Sequence, residues 1–181
     1  MKYIVHKPYF NYEKEEKWLN EMSAKGMALT DYSWCRYVFE DAPNNEFTYR
    51  LELLENFPSH AQSIAYLKFL EENDVKFVAS YMRWIYLRKK SADGEFDIYS
   101  DIDSKIKHYK RILTLWYPIM LLEFVIGFNN LSIGTLHFGE LNYVNVFLGG
   151  LCVAFGIFIL GISIPINKKI KKLKKEKEIR E

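Results

Sequence analysis

The sequence predicts an α+β domain followed by two membrane-spanning helices. Residues 1–100 are polar and carry mixed charge, whereas residues 112–128 and 144–166 are almost continuously apolar. A hydrocarbon core of about 30 Å requires roughly 17–25 helical residues, and both apolar runs are long enough. Within the first hundred residues the expected order is β-α-β-β-α-β, with room for one extra strand. That order is typical of the ferredoxin-like, or split βαβ, fold.

The first predicted elements are a short strand and an amphipathic helix. Residues 3–5 are β-prone, and Asn11 is a suitable N-cap because Glu13, Glu15 and Glu16 follow it in the first turn. Gly26 is expected to end the helix as its C′ residue.

A β-hairpin is predicted next. Residues 33–40 are aromatic and β-branched, residues 41–46 have turn chemistry, and residues 47–53 alternate apolar and polar side chains. This stretch is the strongest hairpin pattern in the chain.

A second helix and a final β-prone run complete the domain. Ser59 and Gln62 have the spacing of a capping box, so the helix is expected to begin at Ser59. Residues 76–90 form a long β-prone run, interpreted as one bent strand or two.

A ferredoxin-like sheet has one face that its helices leave uncovered, and this face is the candidate for a binding site. It would act as a pocket or a partner-binding surface. The alternative is that the face is solvent-exposed and binds nothing, and that the many Tyr and Trp residues belong to the core of the domain. The residues assigned to the candidate face are Arg36, Arg50, Glu52, Arg83 and Trp84.

Charges around the apolar runs predict the orientation in the membrane. Lys and Arg precede the first run and follow the second, while residues 129–143 between them contain neither. By the positive-inside rule both termini are cytoplasmic, and no secretory signal is expected to move the domain elsewhere. The predicted segments are a cytoplasmic domain (1–100), a juxtamembrane helix (101–111), a first span (112–130), an extracytoplasmic loop (131–143), a second span (144–166) and a polybasic tail (167–181).

Two features of the predicted spans are candidates for function. Glu123 lies deep in the first span, where an ionisable group is costly. It would either bind a proton or cation in an oligomeric bundle or act as a hydrogen-bonded carboxyl that holds the helices together. In the second span, Gly150 with Ala154 and Cys152 with Gly156 place small residues four apart. This spacing indicates a packing face or ordinary glycine enrichment.

The tail is expected to contact anionic lipid headgroups. It follows the second span directly, and a polybasic segment held at a membrane meets headgroups before any other polyanion, so nucleic acid is not an expected partner. The residues assigned to this contact are Lys168, Lys169, Lys171, Lys172, Lys174 and Lys175.

Catalytic and metal-binding patterns are missing from the sequence. The four histidines have no metal-ligand spacing, and there is no phosphate-binding glycine loop or nucleophile elbow. We therefore expect no enzyme activity, no cofactor and no metal. Cys35 and Cys152 fall in different regions, so both are expected to be reduced thiols.

Several segments together resemble a bacterial family catalogued as domain of unknown function 2812. They are residues 10–26 (FNYEKEEKWLNEMSAKG), 36–40 (RYVFE), 49–53 (YRLEL), 81–84 (YMRW) and 96–109 (FDIYSDIDSKIKHY). The resemblance covers residues 1 to about 110 and brings no assigned chemistry. Members are often encoded beside PadR-type transcriptional repressors, which implies a shared regulatory circuit.

These expectations lead to one main functional hypothesis and two alternatives. The main hypothesis is a membrane-tethered regulatory or sensory module whose cytoplasmic domain binds a protein partner, with a PadR-type regulator implied by the resemblance. One alternative is a small oligomeric channel or transporter accessory subunit that uses Glu123. The other is a small-molecule site on the sheet face.

Overall fold

The computed structural model describes residues 1–99, 101–136 and 141–180, and it divides into two units, Met1–Ser100 and Asp101–Glu181. The first unit contains six strands and two helices, with a short 3₁₀ turn at Ser91–Asp93. In chain order they are β1 (Lys2–His6), α1 (Tyr12–Ala24), β2 (Met27–Ser33), β3 (Arg36–Asp41), β4 (Phe47–Leu53), α2 (Ala61–Glu72), β5 (Lys76–Tyr81) and β6 (Trp84–Lys90). The second unit contains α3 (Ile102–Leu136) and α4 (Tyr143–Arg180).

The six strands form two three-stranded antiparallel sheets with the orders β1-β3-β2 and β4-β6-β5. The predicted α+β class is therefore confirmed, but the single ferredoxin-like sheet is not. Each sheet is built by one β-α-β-β segment in which the third strand lies between the first two. The run over residues 76–90 consists of two strands, β5 and β6.

The predicted hairpin between residues 33–40 and 47–53 is wrong. β3 pairs with β1 and β2, while β4 pairs with β6 in the other sheet. The true hairpins are β2–β3 and β5–β6. Their turns place Trp34, Cys35 and Met82 at positive φ, where glycine or asparagine is usual. Because these turns lack that sequence signal, the strand β2 was missed.

Both helices of the first unit begin after a residue whose side chain caps the helix N-terminus. Asn11 caps α1 as predicted, since its side chain accepts hydrogen bonds from the amides of Glu13 and Lys14. α2 is capped by His60 rather than Ser59, because the His60 Nδ1 atom accepts from the Gln62 amide.

α1 covers the free edge of β4 with three side chains spaced along one of its faces. Ser23 Oγ donates to the Phe47 carbonyl oxygen at 2.6 Å. Asn20 donates to the Tyr49 carbonyl oxygen and accepts from the Tyr49 amide, at 3.2 and 2.8 Å. Glu16 accepts from the Leu51 amide at 2.7 Å. An exposed strand edge is thus satisfied by a helix instead of another strand.

The two sheets are also joined at Leu29, where β2 has an irregular register. The Leu29 amide donates to the Tyr49 hydroxyl at 2.8 Å, and its carbonyl oxygen accepts from Arg88 at 3.1 Å. Around this junction lies the main apolar core of the unit, which contains Leu19, Met22, Leu29, Tyr37, Phe39, Tyr49, Leu51 and Tyr86.

The second unit is a helical hairpin whose helices extend beyond the predicted spans. α3 ends at Leu136 and so includes residues 131–136 of the expected loop. α4 ends at Arg180 and so includes most of the expected tail. Near the end of α3, Asn130 and Thr135 donate to carbonyl oxygens one turn earlier, which keeps their polar groups satisfied within the helix. Residues 137–140 of the expected loop lie outside the described residues.

Candidate functional site

Two hairpin turns of the first unit lie next to each other and expose large apolar side chains. Trp34, in the β2–β3 turn, is 74% exposed, and Met82, in the β5–β6 turn, is 66% exposed. The Trp34 ring lies against the Tyr81 ring with 5.7 Å between centroids, so the two turns form one surface. We call this the hairpin-tip surface, comprising Trp34, Cys35, Arg36, Tyr81, Met82 and Arg83.

The β2–β3 turn is held in a conformation that its residues disfavour. Trp34 and Cys35 have φ values of 35° and 60°, and a left-handed conformation costs a residue with a side chain about 1–2 kcal/mol. Two hydrogen bonds hold the turn: the Lys7 amide donates to the Cys35 carbonyl oxygen at 2.9 Å, and the Cys35 amide donates to the Tyr32 hydroxyl at 3.2 Å. Such strain is concentrated at functional positions in proteins.

A buried carboxyl group lies behind this surface. Glu15 of α1 is buried and accepts hydrogen bonds from the hydroxyls of Tyr37 and Tyr86, both at 2.6 Å. Burial raises the pKa of Glu15, and the two tyrosine hydrogen bonds partly offset this increase. The Tyr86 ring packs against the Tyr32 ring with 4.3 Å between centroids, and the Tyr32 hydroxyl accepts from the Cys35 amide. Contacts through these two tyrosines therefore link Glu15 to the β2–β3 turn.

Three of the five predicted face residues belong to or adjoin the hairpin-tip surface. Arg36 follows the first turn, 3.9 Å from Asp31. Arg83 lies in the second turn and donates to the Glu55 carbonyl oxygen at 2.7 Å. Trp84 follows Arg83 and packs against the ring of Tyr12 with 5.6 Å between centroids.

Arg50 and Glu52 lie elsewhere, on the opposite face of the sheet that contains β4. Arg50 stacks over Phe96 at 5.9 Å, and the buried Glu52 accepts from the Tyr66 hydroxyl of α2 at 2.8 Å. The predicted open face is therefore wrong for this sheet, because α1 covers one side and α2 with Phe96 covers the other. The five residues do not share a surface.

Trp34, Met82 and Glu15 were not among the predicted site residues. An isolated Trp or Met within a β-prone run does not show whether it is buried. A stronger signal was available for Glu15, because a carboxylate one turn before Leu19 on the apolar side of α1 faces the core.

The helices α3 and α4 of the second unit are apolar, but most of their apolar surface is exposed. Both are long and apolar enough to cross a membrane, yet only 17% and 22% of their most apolar windows are buried within the chain. A core helix of a water-soluble protein would bury most of that surface. The exposed side chains include Leu121, Val125, Phe128, Phe147, Leu151 and Ile157.

The Glu123 carboxyl group lies near the Cys152 thiol of the other helix of this pair. Both interpretations of Glu123 remain predictions. Gly149 and Gly156, rather than Gly150, provide the close approach between α3 and α4. A Cβ atom at Gly149 would lie 2.8 Å from the Gly127 carbonyl oxygen, whereas a Cβ atom at Gly150 would meet nothing within 4 Å.

The basic tail is part of α4 and packs along the start of α3. The Lys177 ammonium lies 2.7 Å from the Asp103 carboxylate, and the Lys169 ammonium lies 5.9 Å from the centre of the Tyr109 ring. Ile170 is buried in the same helix pair. Across residues 1–99, 101–136 and 141–180, no three His, Cys, Asp or Glu side chains come together as a metal site requires.

The chain thus combines an α+β domain of two small antiparallel sheets with a hairpin of two apolar helices. A family model described as "Protein of unknown function (DUF2812)" matches residues 11–121, more than half of the chain, and the chain belongs to this family. The match begins at the N-cap of α1 and ends within α3, so it starts and ends later than the resemblance over residues 1–110. No curated protein and no solved structure matches the chain.

Proposed function

We propose that this protein is a membrane-anchored regulatory module that binds a protein partner through the hairpin-tip surface. The observation that carries the proposal is the exposure of Trp34 and Met82 on adjacent turns, both of which hold residues at positive φ. Trp, Met, Tyr and Arg are the residues enriched where proteins bind each other, and Trp, Tyr and Arg contribute most of the binding energy. Arg36 and Arg83 favour a partner with acidic groups around an apolar pocket.

The anchor in this proposal is the α3–α4 hairpin. A bilayer would cover the apolar side chains that the chain itself leaves exposed, and the basic flanks support a topology with both termini in the cytoplasm. The helical rise of 1.5 Å per residue puts Lys174 and Lys175 about 10–12 Å beyond Asn167. The headgroup layer extends about 5–8 Å beyond the hydrocarbon core, so these two lysines also lie within the Debye length of about 8 Å. Headgroup contacts are therefore assigned to Lys168, Lys169, Lys171, Lys172, Lys174 and Lys175.

A PadR-type transcriptional regulator is the first candidate partner, because the family resemblance implies a shared circuit with such repressors. Binding at the membrane would hold the regulator away from its operator. The hairpin-tip surface would act as the docking site, and the contacts from Glu15 through Tyr86 and Tyr32 would fix the shape of the β2–β3 turn.

Site-specific photocrosslinking in native membranes tests the proposal. A photoreactive amino acid at position 34 or 82 is expected to capture one regulator. The same amino acid at Ile64, which is 55% exposed on α2, is expected to capture none. Combining Trp34→Ala with a crosslinker at position 82 should reduce capture at least tenfold. Equal capture from positions 34 and 64, or a deletion strain with unchanged repressor occupancy, would contradict the proposal.

A further inference from the structure

The first unit contains a structural duplication. Trp34 and Cys35 of the β2–β3 turn are separated by 48 positions from Met82 and Arg83 of the β5–β6 turn. The register irregularities have the same offset, since they follow Leu29 in β2 and Phe77 in β5. Both sheets also have the same strand order. β1 in the first half therefore corresponds to β4 in the second.

The β4 edge shows which backbone groups a free edge exposes in this fold. Because hydrogen-bonded pairs alternate along an antiparallel ladder, the amide and carbonyl groups of Phe47, Tyr49 and Leu51 point away from β6. Ser23, Asn20 and Glu16 of α1 bond to the amide and carbonyl groups of Phe47 and Tyr49 and to the amide of Leu51. The protein thus caps this edge at three successive outward positions.

The corresponding groups on β1 have no such cap. The Lys7 amide donates to the Cys35 carbonyl oxygen, which places Tyr3 and Val5 in the hydrogen-bonded pairs with β3. The amides and carbonyls of Lys2, Ile4 and His6 therefore point outward, and no described residue bonds to them. We call these groups the β1 edge.

Each helix packs on its own sheet, but only α1 also bonds to the edge of the other sheet; no described side chain of α2 hydrogen-bonds to β1. Leu70 of α2 is buried with Val75, Ile85 and Leu87, and the Tyr66 hydroxyl donates to Glu52. The remaining sheet edges, β2 and β5, lie against each other, as the contact between the Tyr32 and Tyr81 rings shows. Among the described strands, the β1 edge is the one left open.

We propose that the β1 edge pairs with the β1 edge of a second copy of this chain. The two strands would run antiparallel about a two-fold axis through Ile4, so that Ile4 faces Ile4 and Lys2 faces His6 of the second copy. All outward amides and carbonyls of Lys2, Ile4 and His6 would then be bonded in both copies. The product is one continuous sheet with the order β2-β3-β1-β1-β3-β2.

Two features of β1 fit a second copy. Ile4 is 53% exposed at the centre of the strand, and pairing would cover it with the same residue from the other copy. Lysine often protects a free edge from pairing, but the Lys2 ammonium lies 3.6 Å from Glu40, its partner on β3, and so sits over the existing sheet. Pairing centred on Ile4 also avoids placing Lys2 opposite Lys2.

Disulfide trapping of the full chain tests this proposal, in a background with Cys35→Ser and Cys152→Ser. Opposite residues of a hydrogen-bonded antiparallel pair have Cα atoms about 5.5 Å apart, which suits a disulfide. Mild oxidation is therefore expected to convert most Ile4→Cys chains to covalent dimers. The matched control, Ile64→Cys, is equally exposed on α2 and should give less than a tenth of that yield.

A proline variant tests whether the β1 edge forms the dimer without altering the fold of the domain. Ile4→Pro removes an outward amide that β3 does not use, so the near-UV circular dichroism should be unchanged while the dimer fraction in mild detergent falls at least fivefold. Equal dimer yields from positions 4 and 64, an unchanged dimer fraction in Ile4→Pro, or trapping of a different protein at position 4 would each overturn the proposal.

Discussion

The capping of β4 by α1 makes a quantitative prediction for Asn20→Ala. Tyr49 is fully buried, and Asn20 supplies a hydrogen-bond partner to both its amide and its carbonyl group. Each buried backbone group left without a partner costs about 1–3 kcal/mol. With two such groups, the variant should lose roughly 2–6 kcal/mol from a total stability of the order of 5–15 kcal/mol.

Thermal unfolding of the full chain in detergent, followed by near-UV circular dichroism, measures this loss. For a domain of this size, each kcal/mol lowers the midpoint by about 4–8 °C, so the midpoint should fall by at least about 8 °C. The matched control is Asn73→Ala, which removes an exposed side-chain hydrogen bond to the Phe69 carbonyl oxygen on α2 and should change stability by no more than about 0.5 kcal/mol. If the two variants unfold at the same temperature, the side chains of α1 do not cap the edge.

Three further predictions concern Glu16, the tyrosine pair and the glycines of the hairpin. Burial raises the pKa of Glu16 from 4.5 to about 7, so the folded state binds this proton more tightly than the unfolded chain does. The free energy of unfolding, measured in urea, should therefore fall as pH rises from about 4.5 to 7. Glu16→Gln should remove this part of the pH dependence. Tyr86→Phe removes one of two hydroxyl donors to Glu15 and should cost about 1–3 kcal/mol in the same assay. Gly149→Val should separate α3 from α4, lowering energy transfer between labels on the two helices, while Gly150→Val, in open space, should leave it unchanged.

Local sequence patterns were sufficient to predict several of the helices and strands. The acids after Asn11 and the glycine at 26 mark both ends of α1, and the two apolar runs mark α3 and α4. These features depend on neighbouring residues, so a single sequence carries them. The alternation over residues 47–53 likewise identified β4 correctly.

Strand pairing was not predictable in the same way. β4 has the pattern of a hairpin partner for β3, but its outward edge is occupied by Glu16, Asn20 and Ser23, which are remote in sequence. The turns at Trp34 and Met82 have no glycine or asparagine to reveal them. The first is held by a hydrogen bond from the distant Lys7 amide to the Cys35 carbonyl oxygen and by one from the Cys35 amide to the Tyr32 hydroxyl. The hairpin-tip surface forms only when both turns form. The predicted site residues therefore included Arg36 and Arg83 of this surface and the adjoining Trp84, but not Trp34 or Met82.

Cysteine accessibility in living cells tests the membrane anchor, the central claim, most directly. In a background with Cys35→Ser and Cys152→Ser, a membrane-impermeant maleimide should label Asn142→Cys, between the two helices, on intact cells. It should label Ile64→Cys in the α+β domain only after the cells are broken. Labelling of Ile64→Cys on intact cells, or of neither cysteine until the cells are broken, would contradict the inside orientation of the domain.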